Sequence, residues 1–124
     1  MTERRIILEM GTGNDLYGED YTKAACRAVQ DALHHSSIVL FKSLGIDHRK
    51  MRVQVTIGVQ KPEWVNTTVV AAELPRGRAE VNVVHGGLNV HDPVQETTHV
   101  VATAAIAALL PLEEHAWRLC SADA

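Results

Sequence analysis

The chain has few aromatic side chains, no excess of positive charge and no long uninterrupted apolar run. Its 124 residues include only two Trp, two Tyr and one Phe, so no aromatic surface for stacking nucleic-acid bases is expected. A formal charge of −3 and a pI near 6.1 provide no basic surface for nucleic acid or an acidic membrane. The longest apolar stretch, residues 100–112, is interrupted by Thr103 and Pro111 and is shorter than a bilayer-spanning helix.

Cysteine is also scarce. Cys26 and Cys120 lie far apart without the paired spacing of a disulfide framework or a zinc site, which favours free thiols in a reducing compartment. The first five residues are charged and lead directly into a strand-like segment, so no secretory signal is predicted. We therefore expect one cytoplasmic domain over residues 1–124, with neither nucleic acid nor membrane as a partner.

Hydrophobic periodicity predicts strands at residues 6–10, 52–59 and 79–85 and helices at 21–43, 64–72 and 112–119. Residues 98–110 are ambiguous, because their alanines favour a helix whereas their continuous apolar character also fits a strand buried on both faces. The order β-α-β-α-β-β-α predicts an α+β fold, a four-stranded mixed sheet with helices packed on one face. The other face of such a sheet needs a partner, which predicts an oligomer.

A glycine-rich run at residues 10–23 separates the first strand from the first helix. Glycine lets backbone N–H groups approach a ligand closely, and the first turn of a helix leaves amide donors unpaired. The spacing misses the dinucleotide fingerprint and no Gly-Lys-Ser/Thr follows, which excludes a nucleotide-binding loop. The run is therefore either a ligand-binding loop or a tight strand-to-helix connection.

Several single residues carry two interpretations each. Asp15 either braces its loop through backbone amides or acts in chemistry. Tyr17 either packs or donates a hydrogen bond to a ligand. His85 is either a strand-end histidine bonded to the backbone or a functional imidazole, and Cys26 fits a small core residue on an alanine-rich helix better than a nucleophile.

The run from Gly11 to Gly18, followed by Asp20-Tyr21-Thr22-Lys23, resembles a small family of uncharacterised bacterial and plant proteins with an N-terminal G-x-G-x-D-x-H-G signature. The resemblance extends over nearly the whole chain. Tyr17 stands where that signature has histidine, which puts any role of the histidine in doubt here.

More distantly, the chain is similar to one repeat of the ring-opening cyclic amide hydrolases, the cyanuric acid hydrolase and barbiturase group with a Toblerone-like fold. Lys23 falls where that group has a substrate-contacting arginine, and His85-Gly86-Gly87 falls where it has Ser-Gly-Gly; no lysine is found near Thr12 for the group's paired lysine. The resemblance implies a chorismate-mutase-like or deaminase-like homotrimer with its site at the subunit junctions.

Two functions follow as hypotheses. One is hydrolysis of a cyclic amide, with His85, Lys23 and Asp15 as catalytic candidates. The other is non-catalytic binding of a small anionic or carbonyl-rich metabolite, and a purely structural or interaction role is a third alternative. The ligand-binding candidates are Gly11, Gly13, Tyr17, Gly18, Arg52, Gly86 and Gly87. No cofactor is predicted, except that three symmetry-related copies of His85 would suit zinc.

Overall fold

The computed structural model describes residues 2–34, 48–75 and 77–112. These residues form five strands, two α-helices and two 3₁₀ turns. The strands are β1 (Thr2–Asp15), β2 (Arg52–Val59), β3 (Arg78–His85), β4 (Leu88–Asp92) and β5 (Thr97–Leu112). The helices are α1 (Tyr21–His34) and α2 (Thr67–Ala71), and the 3₁₀ turns are His48–Lys50 and Pro62–Trp64.

The strands form one mixed sheet in the order β1-β5-β2-β3, with β4 also paired to β5. β5 is the central strand, and it pairs antiparallel with β1 on one side and with both β2 and β4 on the other. β2 and β3 are parallel. Both α+β class and mixed sheet agree with the prediction, but the sheet has five strands rather than four because β4 was missed.

The ambiguous segment is a strand. Along β5 the even-numbered residues from Val100 to Leu110 are buried, whereas Thr103 is exposed and its odd-numbered neighbours are partly exposed. This period of two is the strand pattern. Pairing on both sides of β5 outweighs the helix propensity of its alanines, which tertiary context routinely overrides. A strand of this kind was expected to be covered on both faces. Among the described residues, only one face of β5 is covered.

Helix α1 covers that face by lying almost in backbone contact with β1. A Cβ atom on Gly13 would lie 2.3 Å from the amide nitrogen of Ala28, and one on Gly11 would lie 2.4 Å from that of Ala32. The helix presents mainly small residues to the sheet, and those fully buried are Ala24, Ala25, Ala28, Val29 and Ala32. Asp20 caps it by accepting a hydrogen bond from the Lys23 N–H at 3.0 Å.

Two predicted elements need correction. The first strand continues to Asp15 instead of ending at Met10, so Gly11 and Gly13 belong to β1 and the loop is residues 16–20. The helix predicted at 64–72 is a 3₁₀ turn followed by the five-residue α2. The predicted continuation of the first helix to residue 43 and the terminal helix at 112–119 lie outside the described residues. Within the described part of the chain, no helix has the length and apolarity to cross a membrane.

The opposite face of the sheet, here called the open face, has no layer of described residues on it. Register places its side chains in rows that cross β1, β5, β2 and β3. One row is Thr12, Thr103, Gly58 and Val84, and the next is Met10, Ala105, Thr56 and Asn82. Beyond the first row, β4 adds Leu88 and Val90 beside Val101 and His99.

Candidate functional site

A groove of about 600 Å³ lies across the middle of the open face. It is lined by residues of β1, β2, β3 and β5, together with Asp31 of α1 and Gly86 of the link between β3 and β4. Most of the lining is apolar or backbone, including Met10, Val84 and Ala105. The volume is in the range of small-molecule sites.

Three threonines supply most of the polar side-chain groups of this groove. Thr12 and Thr103 are directly opposite each other on β1 and β5, and Thr56 lies one row further along on β2. The Thr103 side chain fits against β2 because residue 58 is a glycine. A Cβ atom on Gly58 would lie 2.7 Å from Thr103 Oγ1. A hydroxyl both donates and accepts, so the groove can bind either carbonyl or N–H groups.

Asp31 is the one acidic side chain among the described residues that line the groove, and no Lys or Arg lines it. Its carboxylate accepts a hydrogen bond from the Thr12 N–H at 2.9 Å, on the free edge of β1. The lining therefore offers little attraction to an anion.

His85 and Gly86 form the opposite end of the groove, where β3 turns into β4. The Gly86 N–H donates to the carbonyl oxygen of Val59 at 2.9 Å, so it is not free to donate to a ligand or an oxyanion. Gly87 has a φ of +62° and a Cβ there would lie 2.3 Å from the Val101 carbonyl oxygen, which requires glycine. The side-chain amide of Gln60 donates to the carbonyl oxygen of Gly86 at 3.0 Å.

The loop at residues 16–20 is held by Asp15, whose side chain is buried. Its carboxylate accepts a hydrogen bond from the Asp20 N–H at 2.8 Å and lies 3.6 Å from the Arg27 guanidinium. This geometry agrees with the bracing interpretation of Asp15. Tyr17 is 70% exposed and packs edge-on against His99 with ring centroids 5.9 Å apart. Gly18 is exposed in the same loop.

The two predicted cations lie away from the groove. Lys23 is exposed in the first turn of α1, the helix that covers the other face of the sheet. Arg52 is the first residue of β2, whereas His85 pairs with Val59, the last residue of that strand. The two ends of β2 are roughly 23 Å apart along the strand. The Arg52 guanidinium binds the carboxylates of Glu3 and Glu80.

These two ion pairs link β1, β2 and β3 across the open face. The hydrogen bond from Arg52 lowers the pKa of Glu3, and the hydrogen bonds to Glu3 and Glu80 raise the pKa of Arg52.

Elsewhere, burial and the nearby Glu73 raise the pKa of the Cys26 thiol, which fits a core residue better than a nucleophile.

The predicted site is therefore divided. His85, Gly86 and Gly11 line one groove, whereas Asp15, Tyr17 and Gly18 belong to the adjoining loop, and Lys23 and Arg52 belong to neither. Gly13 packs against α1. Sequence reasoning missed Thr12 and Thr103. The alternation along β2 puts Thr56 on the polar side of that strand, but nothing in the sequence shows that Thr56 lies close to Thr12 and Thr103.

No group of three or more His, Cys, Asp or Glu side chains within residues 2–34, 48–75 and 77–112 has the arrangement of a metal site. The zinc site imagined from three symmetry-related copies of His85 requires neighbouring subunits, so it stays a prediction.

The fold and groove define a small α+β protein with a five-stranded sheet and a candidate binding site on its open face. The chain belongs to the family of conserved hypothetical proteins designated Lin0512_fam, whose model matches residues 5–108. Its structure is similar to the crystal structure of an FtsZ-like protein of unknown function from Nostoc punctiforme PCC 73102, with 33% sequence identity and a TM-score of 0.79. That match covers 90% of this chain and 99% of the other. No curated protein matches the chain.

Proposed function

We propose that the protein binds a small, uncharged, carbonyl- or amide-rich molecule in the groove of the open face, without transforming it. The observation that carries the proposal is the set of three threonine hydroxyls, from Thr12, Thr56 and Thr103, within a largely apolar groove of about 600 Å³. A mainly apolar pocket with a few polar groups is the usual composition of a small-molecule site.

The charge of the lining supports an uncharged ligand over an anionic one. Asp31 is the charged lining side chain among the described residues, while Lys23 and Arg52 lie elsewhere. An anion would therefore exchange its hydration shell for hydroxyls and a nearby carboxylate, which is unfavourable. The carbonyl-rich part of the sequence-based hypothesis is kept, and its anionic part is not.

Binding is also better supported than hydrolysis of a cyclic amide. The Gly86 N–H already donates to Val59, and no hydroxyl or thiol of the described residues is hydrogen-bonded to His85. His85 therefore has no side-chain nucleophile positioned by it among the described residues, and one of the two glycine N–H groups beside it is already occupied, so it lacks several of the groups that acyl transfer needs. Incubation with cyanuric acid and barbituric acid is accordingly expected to give no ring opening.

A thermal-shift titration tests the proposal with uracil, an uncharged cyclic imide, and orotate, the same ring carrying a carboxylate. We expect uracil at millimolar concentration to raise the melting temperature and orotate to have a smaller effect. Thr103→Val removes one hydroxyl without changing the side-chain shape, so it should weaken uracil binding roughly 2–10-fold, the equivalent of one hydrogen bond of about 0.5–1.5 kcal/mol.

Thr98→Val is the matched control, because Thr98 lies on the same strand but does not line the groove. Stronger stabilisation by orotate than by uracil, or equal binding by the Thr103 and Thr98 variants, would contradict the proposal. A screen in which neither ring binds would contradict it as well.

A further inference from the structure

The open face carries exposed apolar surface on three of its strands. Five large side chains point from it into solvent, namely Leu8, Met10, Val84, Leu88 and Val90, each between 41% and 65% exposed. Register places all five on the same side of the sheet. A contiguous apolar patch of this kind marks an interaction surface.

The shape of this patch is complementary to itself. Leu8 and Met10 form a ridge along β1, and the adjoining strand β5 presents the small residues Ala105 and Ala107 as a channel beside it. Both the ridge and the channel therefore occur on every copy of the chain. A second copy can seat its ridge in the channel of the first, which needs no other partner to supply the complementary shape.

The distribution of charge on the open face also favours a second copy of the chain as the partner. Arg52 binds Glu3 and Glu80 at the far end of the face, and Arg78 lies beside Arg52 in the register, so charges of both signs meet there. The rows through Ala105 and Thr103 contain no charged side chain. Across these two rows, two faces meet without like-charge repulsion, and nothing in the rows would select an acidic or basic partner.

The area is also sufficient. Four strands spaced about 4.8 Å apart, over about eight residues of 3.3 Å each, give a face of roughly 500 Å² in projection. Two faces of that size bury on the order of 1,000 Å² or more in total, at the lower limit for a specific protein interface.

Pairing through the edge of β1 is blocked where that strand meets α1. The Asp31 carboxylate occupies the Thr12 N–H and the Arg27 guanidinium occupies the Asn14 carbonyl oxygen. A shift in register between Arg5 and Ile7 disrupts the other half of the strand. Side-chain caps and bulges are features that prevent edge-to-edge pairing, so the face rather than this edge is left for association.

We infer that a second copy of this chain packs on the open face, with the Leu8–Met10 ridge of one copy against the Ala105–Ala107 channel of the other. The partner then covers the groove lined by Thr103 and His85 and turns an open depression into an enclosed one. This inference stands on the apolar surface alone and does not depend on any ligand.

Sedimentation velocity of the full chain between 5 and 100 µM tests the inference. The wild type should be an oligomer, and Ala105→Glu should raise the dissociation constant at least tenfold because it places a charge in the middle of the contact. Ala72→Glu is the matched control, since Ala72 is exposed beyond α2 on the covered side of the molecule, and it should leave the mass unchanged.

Met10→Ser is a second variant that removes an exposed side chain, so it does not disturb the core, and it too should favour the monomer. A monomeric wild type would overturn the inference, as would an oligomer that withstands both Ala105→Glu and Met10→Ser. A monomeric Thr103→Cys variant whose new thiol does not react with thiol reagents would also overturn the inference. Another part of the same chain would then cover this face. Uracil binding by a monomer would leave the proposed function in place while the inference fails.

Discussion

Gly13 allows the most direct test of how helix α1 and strand β1 fit together. Gly13→Ala would place a methyl group 2.3 Å from the amide nitrogen of Ala28 and 2.4 Å from the carbonyl oxygen of Ala24. Both atoms belong to the helix backbone, so no rotamer change relieves the contact and the whole helix must move. The φ of Gly13 is not in the left-handed region, so packing alone decides the effect.

The expected size of the effect follows from these contacts. Overpacking a core typically costs up to about 3 kcal/mol, and removing a glycine from a strand returns about 0.5–1 kcal/mol of backbone entropy. The net loss is then about 2 kcal/mol. With an unfolding entropy of roughly 2.1 cal/mol/K per residue, a chain of this length should melt about 8 °C lower.

Gly18→Ala is the control within the same glycine run. A Cβ there would meet no backbone atom; its nearest neighbour, at 3.0 Å, is the Asp15 carboxylate oxygen that accepts the Asp20 N–H, so a small shift of one side chain relieves the contact. We expect its melting temperature to stay within about 2 °C of wild type. Calorimetry of the two variants in parallel gives the comparison. If Gly13→Ala melts at the wild-type temperature, α1 does not lie against β1 as described.

Two further predictions concern titratable groups. Because the hydrogen bond from Arg52 lowers the pKa of Glu3, the stabilisation from this contact is present at neutral pH and is lost as the pH falls through that lowered pKa. Glu3→Gln should therefore destabilise the protein in urea denaturation at pH 7 more than at pH 3, and an equal loss at both pH values would contradict this. Burial raises the pKa of the Cys26 thiol, so in a Cys120→Ser background it should react with a thiol reagent at pH 8 at least tenfold more slowly in native protein than in denaturant. Equal rates would show that the thiol is accessible.

Much of the fold could be predicted because local patterns were strong. The alternation of valine and polar residues located β2 between Arg52 and Val59 with the observed bounds. The helix predicted to begin at residue 21 does begin there, after the Asp20 cap, and its alanine-rich face packs on the sheet. In these elements, the local sequence preference and the tertiary contacts agree.

The remaining features depended on contacts that a single segment does not reveal. The spacing of Gly11 and Gly13 signalled a close approach of backbone, but the approaching group is α1 rather than a ligand. The sequence of β5 fitted a helix and a strand equally, and its pairing with β1 and β2 on two sides decides for the strand. β4 is only five residues long, too short for its alternation to stand out.

The candidate site was predicted only in part for the same reason. His85 and Gly86 were found because a strand ends at a glycine pair, and they do line the groove. Thr12 and Thr103 come from strands far apart in the chain, and they become neighbours only through the register of β1 against β5. The cations were chosen for their charge, and neither lines the groove.

The central claim is that the groove of the open face is the binding site. The most direct test is an amide NMR spectrum of the full chain recorded during titration with uracil. The claim predicts that the largest shifts occur at Thr12, Thr56 and Thr103, which lie on three different strands and line this groove together. Shifts confined to residues 16–23, at the loop and the first turn of α1, would contradict it and return the site to the glycine-rich run.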